Sequence, residues 1–181
     1  AVPATTGEVM QCIYNSLTQD YRRAIKTLQT LTGHGIPYEL TEHPAVYNMA
    51  ELDAVALPYP EFDAKNLFVR DDKKQHYYLI TVKGDKRVDL KAFRKAHGLR
   101  NLSFASPDEL AALLALTPGS VTPLGLLNDA ECRVQLFLDA EFGGQIIGVH
   151  PNDNTATVWL SADALVALLR AHGSPVEWVT L

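Results

Sequence analysis

The chain lacks every short motif that marks a self-sufficient catalyst. It contains no GxSxG elbow, no GxxxxGKS/T phosphate loop, no HExxH pair and no GxGxxG turn. A serine hydrolase built on an elbow, a P-loop nucleotidase, a zincin and a dinucleotide-binding oxidoreductase are thereby set aside. Cysteine is scarce: Cys12 and Cys132 have neither CxxC nor Cys/His spacing, so they read as idle or buried thiols in a reducing cytoplasm. The six histidines stand apart at 34, 43, 76, 97, 150 and 172, with no pair at metal-ligand spacing. Neither a metal nor another cofactor is expected. No apolar run approaches the ~18 residues that span a bilayer, and no basic-then-apolar leader opens the chain. A membrane partner is not expected, and the cytoplasm is the expected location.

What is present is a globular composition. Of 181 residues, 47% are hydrophobic, enough to fill the core of one domain. The net charge of −5 argues at first against a nucleic-acid partner, but the charge is unevenly spread. Between Arg70 and Arg100 lie ten of the sixteen Lys and Arg residues and only four of the twenty-one acids. Phosphate binding follows local potential, so this segment is a candidate RNA footprint; ordinary surface lysines on a hairpin and helix explain it equally well.

Apolar spacing from Val9 to Leu31 predicts an N-terminal helix or helix pair stopped at Gly33 and Gly35. Residues 1–18 read as a helical extension and 19–181 as the domain proper. A strand over Ile36–Thr41 precedes a short helix over Tyr47–Leu57 and a rigid Pro58-Tyr59-Pro60 connector. Leu67–Arg70 and His76–Val82 form a hairpin with a charged turn. Asp89 caps a helix ending at Gly98, Leu102–Ala105 is a strand, and Ser106-Pro107-Asp108-Glu109 is a capping box. Strands are expected at Gly125–Leu127, Arg133–Asp139, Gln145–Val149, Thr155–Leu160 and Val176–Thr180, with a helix from Ser161 to Gly173 before the last. Elements without a regular βαβ repeat predict an α/β fold with a mixed sheet surrounded by helices.

Three segments carry candidate chemistry. Lys65 opens an apolar strand away from the other cations, where an ammonium can hold a phosphate or a developing oxyanion, or simply be a solvated strand end. Gly119-Ser120-Val121-Thr122-Pro123 has hydroxyls but no base in sequence reach. Its use would be geometric, bringing backbone amides to a ligand, and a plain turn is the alternative. His150 ends an apolar run before Pro151-Asn152-Asp153-Asn154, where it can line a pocket or serve structure alone.

These segments, Lys65-Asn66-Leu67-Phe68, Lys83 through Asp89-Leu90, Pro118 to Asp129 and His150 to Thr157, occur in an order that resembles the YbaK/prolyl-tRNA-synthetase-associated editing domain family. Within it the chain is most similar to the free-standing alanyl-tRNA(Pro) deacylase type. The resemblance covers about Tyr21 to Trp178. It implies a YbaK-type mixed, strongly bent sheet with surrounding helices in a single domain. It also implies cofactor-free hydrolysis of an aminoacyl ester on tRNA(Pro), with Lys65 and Asn66 catalytic. Gly119, Ser120, Val121, Thr122, Pro123 and His150 would form the substrate pocket, and Lys83, Lys86 and Arg87 would meet the acceptor stem. The implied partner is tRNA(Pro) carrying alanine, with transient docking on prolyl-tRNA synthetase and no role for DNA or membrane. Clearance of cysteine or another small residue, a non-catalytic adaptor, and a hydrolase of small non-tRNA esters are the alternatives.

Overall fold

The computed structural model describes residues 19–44 and 57–181. Helix α1, Gln19–Gly33, turns Ala24, Thr27 and Leu31 inward at helical spacing. It stops where Gly35 takes a φ of +67°, a left-handed conformation that suits a residue without Cβ. Strand β1, Tyr38–Glu42, follows. The extension at 1–18 and the helix expected over Tyr47–Leu57, Leu57 excepted, lie outside the described residues.

The charged-turn hairpin forms from β2, Ala64–Asp71, and β3, Tyr77–Lys83. Asp71 clasps its turn, accepting from the Gln75 amide and the His76 Nδ1, each at 2.9 Å. Helix α2, Leu90–Ala96, is capped by Asp89, whose carboxylate accepts from the Lys91 and Ala92 amides. After β4, Leu102–Phe104, comes α3, Pro107–Leu114, opened by the expected reciprocal capping box of Ser106 and Glu109. Strands β5, Val134–Asp139, β6, Ile146–Val149, and β7, Ala156–Ser161, precede α4, Ala162–His172. Strand β8 is Val176–Val179.

The expected strand at Gly125–Leu127 is instead a 3-10 helix, Pro123–Asn128. Pro123 presets its first turn and Thr122 Oγ1 caps it, accepting from the Leu124 amide at 3.3 Å. A three-residue apolar run has no period to separate strand from helix, and the cap decides it. Gly125 is needed there, since a Cβ would stand 2.5 Å from the Leu116 Cδ1.

The strands make a five-stranded mixed sheet in the order β4-β2-β3-β5-β8 and an antiparallel sheet in the order β1-β7-β6. Strands β3, β5 and β8 run parallel, whereas β2 and β4 are antiparallel to their neighbours. One parallel bridge, Asp63 to Gly148, links the two sheets, giving the mixed, bent α/β arrangement expected. The main core lies between them, where Leu79 and Leu136 of one sheet meet Ile147 and Val158 of the other, closed by Leu31, Leu110 and Leu165 of the helices. A smaller cluster of Val69, Ile80, Val82 and Phe137 packs beneath Phe93 of α2 on the opposite face.

Glu109 ties α3 to the large sheet. Its carboxylate accepts from the Ser106 amide at 2.7 Å and the Tyr77 hydroxyl at 3.0 Å, and pairs with Arg70 Nε at 3.0 Å. The Ser106 bond above all, against the opposing effect of burial, holds its pKa down to about 2. A depressed carboxylate stabilises the fold above its ordinary pKa and loses that contribution as pH falls toward 2. Glu109→Ala should therefore cost about 1–3 kcal/mol at neutral pH in urea unfolding. The deficit should shrink steadily below pH 4.5. A pH-independent deficit would show that the ionised form contributes nothing.

Candidate active site

Lys65 is the second residue of β2, opposite Val82 on β3, and is half-buried. Its Nζ donates to the backbone carbonyl of Lys86 at 3.4 Å. No carboxylate pairs with it among the described residues. Arg70 and Lys86, also partly buried, differ: Arg70 pairs with Glu109, and Lys86 pairs with Asp139 at 2.8 Å and with Glu141. Lys83 is partly buried too, with the Phe62 ring rather than a carboxylate against it. An ammonium drawn from water without a counter-ion is costly unless a ligand supplies the negative charge.

The bridge between the sheets decides what stands near Lys65. Asp63 and Gly148 pair in parallel, so Lys65 and His150 each lie two residues beyond the same bridge on segments running the same way. His150 is half-buried. Its Nδ1 donates to the Ala156 carbonyl at 2.8 Å, so the neutral ring carries its lone pair on Nε2. Burial pushes its pKa down, reinforced by His43 and only partly opposed by the Ala156 carbonyl and Asp153.

His43 was not singled out in the sequence, and the fold makes it His150's neighbour, with ring centroids 6.1 Å apart. Its Nδ1 donates to the Pro44 carbonyl, and its Nε2 accepts from the Thr157 hydroxyl, each at 2.9 Å. Only the pairing of β1 with β7 brings these residues together. A lone His-Pro step after a strand carries no such signal.

Asn66 projects from the opposite face of β2, the face of Phe68 and Leu79, and its Oδ1 accepts from the Thr81 hydroxyl at 2.7 Å. The Gly119–Pro123 loop rests on the same main core through Val121, and Leu124 just after it lies within that core. The Ser120 hydroxyl donates to the Thr117 carbonyl at 2.9 Å, a turn clasp. Gly119 takes a φ of +91°, which only glycine adopts readily. The amides of Val121 and Thr122 find no acceptor among the described residues, and such amides can hold a developing oxyanion. The loop shares no hydrogen bond with Lys65 or His150.

Of the expected phosphate contacts, Arg87 is exposed and Lys83 lies 5.4 Å from the Phe62 ring centre. Lys86 is committed to its two carboxylates, which outweigh burial and raise its pKa. Its side chain thus anchors the turn whose carbonyl receives Lys65. Among the described residues, no cluster of His, Cys, Asp or Glu could hold a metal ion, and no helix is long and apolar enough to cross a membrane.

Gly148 supports the site from below. A Cβ there would stand 2.4 Å from the Trp159 indole, whose Nε1 donates to Thr41 Oγ1 at 3.0 Å. The ring is rigid and held, so Gly148→Ala should cost about 1–3 kcal/mol and displace the bridge to Asp63. Wild-type unfolding behaviour would contradict that packing.

The model of the aminoacyl-tRNA editing domain matches residues 43–168. The chain is 39% identical over 147 residues to the prolyl-tRNA editing protein ProX of Acetoanaerobium sticklandii, covering 81% of this chain and 90% of that one. It is 33% identical over 150 residues to prolyl-tRNA synthetase associated domain-containing protein 1 of Mus musculus, covering 80% and 88%. A solved structure of a candidate trans-editing enzyme for prolyl tRNA synthetase has the same fold, with a TM-score of 0.64 at 24% identity over 92% of this chain and 99% of that one. By its sequence, the chain belongs to the aminoacyl-tRNA editing domain family.

Proposed function

We propose that the protein hydrolyses the ester joining alanine wrongly to tRNA(Pro), acting in the cytoplasm with water as the nucleophile. The observation that carries this reading is Lys65, a half-buried cation with no carboxylate partner among the described residues, two residues past the same bridge that a neutral His150 follows. Its ammonium would repel the substrate's α-ammonium, so its role is to grip the phosphate of the terminal nucleotide. The Nε2 lone pair of His150 then accepts from the α-amine. The amides of Val121 and Thr122 hold the carbonyl oxygen as water adds to it, and Asn66 acts from the other face of β2, fixing the strand that carries Lys65 through its bond with the Thr81 hydroxyl. The C–O bond to the ribose breaks, and the departing oxygen takes the proton that the attacking water gives up. The neighbouring ribose hydroxyl assists, which accounts for the lack of a strong protein base.

Such a sieve is needed because a few missing methylenes are worth only about 1–3 kcal/mol of discrimination to a synthetase. Multiple turnovers of alanyl-tRNA(Pro) per protein molecule test the reading. Tight binding that protects the ester would instead identify an adaptor.

Arg87 and Lys83 meet acceptor-stem phosphates in this reading, and a transient encounter with prolyl-tRNA synthetase would deliver the substrate. Arg87→Glu should weaken tRNA binding roughly tenfold at low salt and reduce the slope of log K against log salt by about one. An unchanged slope in filter binding would remove Arg87 from the interface.

A further inference from the structure

A cleft of about 730 Å³ lies between α1 and the end of α4, apart from Lys65 and His150. Arg23 and Lys26 line it from α1, and among the described residues no acid lines it. Its apolar wall comes from Leu127, Leu168 and Ala171. The volume suits an organic ligand and far exceeds what a bare phosphate needs.

Asn152 indicates what else the ligand carries. It is 7% exposed, lines the cleft and holds a left-handed φ of +64°. Its Nδ2 donates to Thr27 Oγ1 at 2.8 Å, and that hydroxyl donates in turn to the Arg23 carbonyl at 2.9 Å. With its hydroxyl proton directed to the Arg23 carbonyl, Thr27 accepts from Asn152. The Asn152 Oδ1 is left buried with no hydrogen-bond partner. A buried acceptor of this kind calls for a donor from outside the chain.

We propose that this cleft binds a ribonucleotide. The phosphate sits against Arg23 and Lys26, and the flat base lies on the apolar wall. A hydroxyl or exocyclic amine donates to Asn152 Oδ1. The same chemistry is offered by an unpaired nucleotide of an RNA and by a free mononucleotide.

Titration of the full-length, 15N-labelled chain with 5′-AMP, 5′-CMP and inorganic phosphate, followed by NMR, tests the proposal. Saturable shifts of the Asn152 side-chain amide are expected with the nucleotides, and much weaker ones with phosphate. Lys26→Glu should weaken nucleotide binding at least about tenfold through the lost phosphate contact. Ala171→Trp, at an exposed position on the rim, should abolish binding by filling the cleft. Circular dichroism establishes that both variants fold. Displacement of the nucleotide by uncharged tRNA assigns the cleft to RNA, whereas lack of displacement assigns it to a free nucleotide. Absence of saturable shifts at millimolar nucleotide, or shifts that both variants leave intact, overturns the proposal. None of these readouts involves ester hydrolysis, so the outcome is independent of the editing reaction.

Discussion

Replacing Lys65 with alanine is expected to slow deacylation of alanyl-tRNA(Pro) by at least about 100-fold, the scale seen when a preorganised charge contact is deleted. The melting temperature should stay within a few degrees of wild type. Among the described residues the side chain's one polar contact is a long bond to the Lys86 carbonyl, and the backbone pairing of β2 with β3 does not need the ammonium. Lys65→Arg should recover only part of the rate, because a planar fork cannot reproduce a point charge at the same distance. A grip on phosphate made equally in ground and transition states would raise KM alone; a fall in kcat would show that the cation also orients the ester for attack. Near-wild-type hydrolysis by the folded alanine variant would defeat the assignment.

His150 governs the other large effect. If its ring fixes the size of the amino-acid pocket, His150→Ala should admit the larger proline ring and allow hydrolysis of correctly charged prolyl-tRNA(Pro). One methylene in an apolar pocket is worth about 10–200-fold, so removing an imidazole should erase most of the alanine-over-proline preference. The variant should also change the pH dependence of stability. Burial keeps the histidine neutral in the fold, so its contribution is intact above the ordinary histidine pKa of about 6.5 and declines as pH falls below it. Urea unfolding of His150→Ala should show a shallower decline over that acid window. Unaltered selectivity together with an unaltered pH profile would reduce His150 to a strand-end residue.

The local chemistry of this fold is written plainly in its sequence. Asp89, Ser106 and Ser161 cap the helices they precede, and the hairpin turn at Asp71 closes through short-range bonds. These features depend on neighbours a few positions away. The division of the strands into two sheets was not legible, because it rests on pairings between strands far apart in sequence, as of β1 with β7 and β3 with β5, and the sheets join at the bridge between Asp63 and Gly148. The strand expected at Gly125–Leu127 failed for a related reason: burial of Leu124 and Leu126 satisfies either backbone, and the Thr122 cap selects the 3-10 helix.

At the site, Lys65 and His150 stood out as isolated residues, but their closeness follows only from the bridge. Nothing in the sequence indicated His43, whose placement requires β1 and β7 to pair. The basic segment was legible as charge and misleading as a free surface. Arg70, Lys86 and Arg100 are each paired with a carboxylate, leaving a smaller exposed set that includes Arg87.

The most direct measurement is to follow ester loss from alanyl-, cysteinyl-, seryl- and prolyl-tRNA(Pro) side by side with the full-length protein in catalytic amounts. A phosphate-gripping ammonium beside a size-limiting imidazole requires rapid, repeated release of alanine and an intact prolyl ester. Equal decay of all four esters, or no decay beyond the protein-free control, would contradict it.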